Sequence, residues 1–430
     1  MKDKWVIKKD SFVLLIASFL GFFLWFLGIL TDYQQSKVVS IFLLFLSAVL
    51  VIWSRNNYLL VIMFSIMAYC NYSVFVSDYL SLQRNTIFTM YAGSYICNKA
   101  IYILLLFTCV LGLLLSITYK NDVYNIQIDS EIFKSPEFGK NSQIVVIGID
   151  IILIFILIFA FGRPTQLGDR GTPSTIYEYS IILFILSFFW GAKNKKITNI
   201  TMIILLLFAL QNFVYGGRIT GLQLLIVAYV MVIESKIKIK KALPFIVAVF
   251  LVLSIIGVAR GNLLTGNFRV SEIVNGLKQQ KFALDTAYSA YHTSLTFIFA
   301  EEHTHWETRI GIFMGFLKSI ILGKYNTVDS NVASYTAQFY RHYGGGFLPY
   351  YFEFYLGTVG VCLIAIYMSV IIKKLRCVCG NSRGYVKCLC VYVVASSFRW
   401  YLYSPIQITR GVLLLFVCYK IVEKIVSYQK

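Results

Sequence analysis

Residues 11–30 read SFVLLIASFLGFFLWFLGIL, an apolar run without a single charge. A helix needs about 20 apolar residues to cross the hydrocarbon core of a bilayer, so this stretch predicts a membrane helix. The lysine-rich MKDKWVIKKD precedes it. The run is too long for the apolar part of a signal peptide and lacks an A-x-A cleavage pattern, so it reads as a retained first helix. Outward from it, comparable runs recur at about 38–53, 58–77, 94–118, 143–162, 175–191, 197–215, 219–234, 243–259, 351–372, 388–404 and 408–425, which gives about twelve spans.

Composition agrees. The chain has 430 residues, 58% hydrophobic and only 14% charged, with mean hydropathy +0.72; a soluble domain carries roughly a quarter charged residues. The apolar runs are continuous, whereas a membrane barrel would show short alternating segments. The expected fold class is therefore all-α and polytopic. Three parts follow: an N-terminal membrane bundle of about nine helices over 1–259, a large outer loop over 260–350, and about three C-terminal membrane helices over 351–430. Ser271 to Ala283 reads as a polar helix within that loop. Thr286 to Ala300 and Thr308 to Leu322 are apolar, the latter with Gly311-x-x-x-Gly315 spacing, and form either re-entrant or interfacial helices or an added membrane hairpin.

The net charge of +19 comes without any nucleic-acid-binding motif or basic soluble domain, which argues against nucleic acid as a partner. Of 26 lysines, 20 fall in the two ends and in those alternate loops that an even number of spans places on one side. Positive residues mark the cytoplasmic side, so both termini are expected there. The 13 arginines distribute oppositely: only Arg55, Arg376 and Arg383 share the lysine side. Arginine's planar fork of donors suits phosphate and carboxylate, and arginine is not what topology alone asks for outside. Some of these outer arginines are expected to serve lipid headgroups. Nine cysteines are present. The pairs Cys377/Cys379 and Cys388/Cys390 are spaced C-x-C where zinc pairs usually read C-x-x-C; they read as reduced thiols beside a helix, and no metal is expected.

Three outer-side patterns carry chemistry. Gly216-Gly217-Arg218 fills a very short turn, where a glycine pair lets backbone amides approach a ligand. Arg260 follows the emergence of a span. Arg341-His342 opens a stretch with three glycines and an aromatic run, RHYGGGFLPYYFEFYLGTVGV. Arg163, Arg170 and Arg410 add outer cations, and Arg399 lies within an apolar span, where a charge is a functional suspect. Asp150, Glu178, Glu353 and Lys99 are further charges in or near spans. Aromatic faces suit sugar rings and arginines suit a diphosphate, so together these residues point to a lipid-diphosphate-linked glycan. Fixed cations would stabilise the leaving diphosphate, and a base would activate the acceptor hydroxyl. His342 is the first candidate base, Glu353 the second, and His292, His303 and His305 follow.

The topology, GGR at 216–218, ARG at 259–261, YYFEFYLGTVG at 350–360 and the arginine-bearing FRWYLYSPIQITR together resemble the Wzy-type oligosaccharide repeat-unit polymerases. The chain departs from members that carry R-x10-G in two outer loops, since none of its 13 arginines has a glycine eleven positions later. The resemblance implies a bacterial inner-membrane enzyme that joins undecaprenyl-diphosphate-linked repeat units into O-antigen, capsule or exopolysaccharide on the periplasmic face. It implies no cofactor, no metal and no nucleotide sugar, and leaves room for a chain-length regulator. The related O-antigen ligases share an arginine and a histidine in the outer loop, which supports Arg260 and His342. A ligase and a lipid-linked oligosaccharide flippase are the competing readings; the flippase would be expected to show short loops and two similar halves, and no internal repeat is evident here.

Overall fold

The computed structural model describes residues 9–80, 87–117, 140–162, 171–192, 194–239, 241, 252, 255, 258, 270–280, 285–342, 344–376 and 383–428. Among these, the only strands are Phe161–Gly162 and Thr172–Pro173, which form a small antiparallel ribbon. The rest is helix and short connection. Seven helices are long and apolar enough to cross a membrane: Asp10–Leu30, Ser36–Trp53, Tyr58–Leu80, Ser94–Ile117, Ser142–Phe159, Lys195–Val214 and Thr358–Arg376. Three apolar helices are shorter, Thr175–Gly191, Arg218–Ile233 and Gly384–Ala395. This is an all-α, multi-pass membrane protein.

The expected twelve spans are not met by twelve such helices, for identifiable reasons. Region 243–259 lies mostly outside the described residues. The run at 388–404 is divided at Ser396 into Gly384–Ala395 and Ser397–Leu402. The last helix, Ile406–Tyr428, carries Arg410, Lys420, Glu423 and Lys424. The segment read as an outer loop, 260–350, is rich in helix among the described residues. It contains helices Val270–Gln280, Asp285–His303, Trp306–Leu322 and Val332–Thr336, close to the helical stretches the sequence suggested. Asp285–His303 is a core element: Ala287, Tyr291, Thr293, Ser294, Phe297 and Ile298 are buried. Gly315 abuts the Asp329 carbonyl while Gly311 faces open space, so this glycine pair is not a helix-packing face.

The chain divides into two units. The first comprises Met1–Gln127, Gln279–Cys377 and Trp400–Ile406. Its helices are α1 (Lys9–Leu30), α2 (Ser36–Trp53), α3 (Tyr58–Phe75, continued by a π-helical turn at Val76–Leu80) and α4 (Ile87–Ile117). Helix α4 is the hub, packed against α1, α2 and the long helix Leu348–Arg376. Lipid is as apolar as leucine, so membrane helices associate through close fit and polar contacts. Here Gly28 sits on the Tyr102 ring, Gly21 on Cys109 and Gly112 against Ser18, which lets α1 and α4 approach closely. Asn71 donates to Ser47 Oγ at 3.0 Å, and Tyr291 donates to Asp78 at 2.9 Å.

The second unit comprises Ile128–Lys278, Val378–Arg399 and Gln407–Lys430. It holds α5 (Lys140–Phe159), α6 (Thr175–Gly191), α7 (Lys195–Val214) and α8 (Arg218–Ala228). Asp150 of α5 accepts from Ser187 at 2.8 Å and Thr201 at 2.9 Å, so this intramembrane carboxyl pins three helices together. Ser174 and Asn194 cap α6 and α7 through their side chains.

Gly28→Ala would drive a methyl into the Tyr102 ring, whereas a Cβ at Gly148 meets nothing within 4 Å. Overpacking typically costs about 1–3 kcal/mol. Thermal unfolding in detergent is expected to show a clear loss of Tm for Gly28→Ala and none for Gly148→Ala.

Candidate functional site

In the first unit a charged cluster gathers where four elements meet. Lys99 of α4 lies 3.0 Å from Glu301 and 2.9 Å from Glu302, at the end of Asp285–His303. Arg309, from Trp306–Leu322, lies 3.0 Å from the other Glu301 oxygen. The Arg309 guanidinium is buried, with Trp306 and Phe354 rings at 5.3 and 5.9 Å.

Arg309 also closes a break in the backbone. Within Leu348–Arg376, Gly357 has φ 64° and ψ −154°, a left-handed conformation that interrupts the helix and that glycine adopts at little cost. The last carbonyls before such an end lack amide partners. Arg309 Nε donates to the Phe354 carbonyl at 2.6 Å and Nη2 to the Glu353 carbonyl at 3.2 Å. One side chain thus supplies donors to two carbonyls and pairs with Glu301. Beyond the break, Gly360 packs against the Phe352 carbonyl, an approach that a side chain would block.

Glu353 sits at this break, ahead of the apolar span that begins at Thr358. Its side chain is 4% exposed, and its Oε2 has no hydrogen-bond partner among the described residues. Burial pushes the carboxyl up to about 7; the Glu301 charge adds to this, while Lys99 and Arg309 oppose it. A buried carboxyl with an unpartnered oxygen and a value near neutrality is suited to proton transfer.

His342 is placed differently. Its Nδ1 accepts from the Gly344 amide at 3.1 Å, and its Nε2 lies 3.1 Å from Thr336 Oγ1. An amide can only donate, so the ring proton belongs on Nε2, facing the hydroxyl; Thr336 in turn donates to the Val332 carbonyl at 3.0 Å. Both nitrogens are engaged in shaping the turn in which Gly344 and Gly345 have φ of 76° and 80°. Burial holds His342 and the buried His292 below the ordinary histidine range. His303 and His305 are exposed, and Arg341 is an exposed turn residue.

Two further expected cations converge in the second unit. Arg399 forms an ion pair with Glu178, and Arg410 lies over the Tyr179 ring at 5.7 Å, so both reach the first turns of α6. Arg218 is half-buried and opens α8 after Gly216 (φ 84°), in a turn tied by the Gly217 amide to the Asn212 carbonyl at 2.6 Å. Arg163, Arg170 and Arg260 lie outside the described residues. Among the described residues no His, Cys, Asp and Glu side chains gather in the threes or more that hold a metal ion.

The α1–α2 turn reaches the same cluster. Asp32, Tyr33 and Gln35 have φ of 49°, 59° and 58°, and a bulky residue there is an outlier whose strain costs about 1–3 kcal/mol. The Tyr33 ring packs on Tyr95 at 5.7 Å and Tyr102 at 5.3 Å, both from α4.

Arg309 and the Lys99–Glu301 pair are what sequence reading did not single out as a site. One signal was available: Glu301-Glu302 and Arg309 interrupt apolar stretches on either side of a helix junction, and intramembrane charges come in partnered sets. No family model, curated protein or solved structure matches this chain.

The raised value at Glu353 carries a stability consequence. The folded chain holds this proton between pH 4.5 and about 7, where the unfolded chain releases it. The stabilisation is complete below the lower value and lost as pH rises through the upper one, a change of about 3 kcal/mol. The fall in Tm between pH 5 and pH 8 in detergent is expected to shrink in Glu353→Gln; an unchanged pH dependence would contradict the assignment.

Proposed function

We propose that the chain is a membrane glycosyltransferase of the repeat-unit polymerase type, acting on undecaprenyl-diphosphate-linked oligosaccharides at the periplasmic face of the bacterial inner membrane. The observation that carries this reading is Glu353: a buried carboxyl with an unpartnered oxygen, set beside Lys99 and Arg309 at a break in an otherwise apolar helix.

Sidedness supports it. At one end of the first unit, Asp10 pairs with Arg55 and Arg376 lies over Trp53, next to Lys373 and Lys374. The Glu353 cluster belongs to the other end, with the α1–α2 turn. By the positive-inside rule the lysine end is cytoplasmic, so the cluster and segment 285–342 face the periplasm. On this reading both termini are cytoplasmic; the seven long and three shorter apolar helices make ten crossings, and the last helix, Ile406–Tyr428, with the apolar run at 243–259 of the sequence, brings the set to about twelve.

The reaction balances with these groups. The acceptor hydroxyl oxygen attacks the anomeric carbon of the donor glycan; the bond from that carbon to the diphosphate oxygen breaks, and its electron pair leaves with the diphosphate. The hydroxyl proton passes to the Glu353 carboxylate. The charge on the diphosphate grows as the bond breaks, which is where fixed cations act; the cations beside Glu353 in the first unit are Lys99 and Arg309. Glu353 takes the role of base in preference to His342, because both nitrogens of His342 are already engaged, one by the Gly344 amide and the other by the Thr336 hydroxyl.

A broken helix with a buried carboxyl is also found in transporters, which keeps a lipid-linked oligosaccharide flippase as the second reading. Gel analysis of surface glycan in cells lacking the chromosomal copy separates the two. The wild-type plasmid should restore a ladder, whereas Glu353→Gln should leave core plus a single repeat unit. Loss of even the single unit would sink the polymerase reading in favour of a flippase or ligase.

A further inference from the structure

The α1–α2 turn is built for more than connection. Five residues, Thr31–Gln35, join two helices with three non-glycine residues in left-handed conformation. The conformation is held from several directions. The Tyr33 amide donates to the Gly28 carbonyl at 2.7 Å, the Tyr102 hydroxyl donates to the Gln34 carbonyl, and Gly28 itself rests on the Tyr102 ring. Strained backbone persists only where its surroundings over-determine it, and it gathers at functional sites.

What the strain achieves is the position of one ring. Tyr95, Lys99 and Tyr102 follow one another at i, i+4 and i+7 along a single face of α4. Tyr33 packs against the two tyrosines that bracket Lys99. Lys99 is bound to Glu301 and Glu302, and Glu301 to the Arg309 that holds the Glu353 carbonyl. Tyr33 lies within the fields of Lys99, Glu353 and Glu301. Tyr33 is half-exposed, Tyr95 is 42% exposed and Asp32 is exposed, so the aromatic group opens outward next to carboxylates. An ordinary interfacial tyrosine belt would need none of this backbone strain.

We propose that Tyr33 and Tyr95 form the subsite for a pyranose ring of the acceptor glycan, holding its hydroxyl toward Glu353. A pyranose offers an apolar C–H face and a rim of hydroxyls. Tyrosine presents an apolar ring with a polar tip, and Asp32 and Glu302 supply acceptors for the rim. This rests on the glycosyl-transfer reading and adds the acceptor's place to it.

The test is equilibrium binding of repeat-unit oligosaccharide, released by mild acid from the producing strain's own lipid-linked pool, to the full-length protein in nanodiscs. Tyr33→Ala is expected to weaken binding about tenfold, Tyr33→Phe to keep it, and Glu353→Gln to keep it while polymerisation is lost. If Tyr33→Ala does not fold, Tyr95→Ala, on the regular helix α4, carries the same expectation. Wild-type affinity in the alanine variants would overturn the subsite and leave the tyrosines as belt residues, with the polymerase reading intact. No glycan binding by the wild type would overturn the glycosyl-transfer reading itself.

Discussion

A helix buried inside a protein is not free to stop. With no water at hand, each carbonyl released by a break must find a donor within the protein. The interruption at Gly357 meets this demand with one side chain, Arg309, whose fork reaches the carbonyls of Glu353 and Phe354. That contact depends on Arg309 itself being neutralised, which Glu301 does, and Glu301 is in turn shared with Lys99. The helix Asp285–His303, which carries Glu301, is packed into the unit by its buried apolar face. The position of Glu353 is thus set by a chain of charge compensation running from α4 to the break.

That chain explains the chemistry available. Lys99 and Arg309 are balanced by Glu301 and Glu302. Glu353 is the fifth charged group, with no cation left over for it inside the cluster, and its ionised form leaves a net negative charge in a desolvated place. Desolvation and the Glu301 charge both favour the protonated form, and the two cations keep the balance from going further.

Much of this architecture was legible in the sequence. Continuous apolar runs fixed the class, and the short helices of 270–322 sit close to where polarity and apolar stretches suggested them. What the runs do not reveal is where a helix breaks without proline: Gly357 lies in FEFYLGTVG, which reads as uninterrupted helix until the partner for its carbonyls is known. Nor does exposure follow from mixed polarity. The segment 285–303, read as an apolar stretch lying at or within the membrane, carries Ser and Thr residues whose hydroxyls bond to their own helix, as Ser294 does to the Ala290 carbonyl, and let it be buried. Glu353 was legible as a charge at a helix mouth and His342 as a histidine among glycines, but the accounting of hydrogen bonds that separates them requires coordinates. Arg399 and Arg410 were legible as cations in apolar surroundings; their meeting on α6 was not.

The choice of arginine at the break separates two properties that a lysine would have joined. A guanidinium keeps its proton at any pH a cell meets, so the latch on the Glu353 and Phe354 carbonyls is indifferent to acidity. The carboxyl beside it is not. Acidification therefore changes the charge of the site while leaving the bend that defines its outline in place. The carboxyl can thus gain and lose its proton reversibly without the backbone having to come undone and reform.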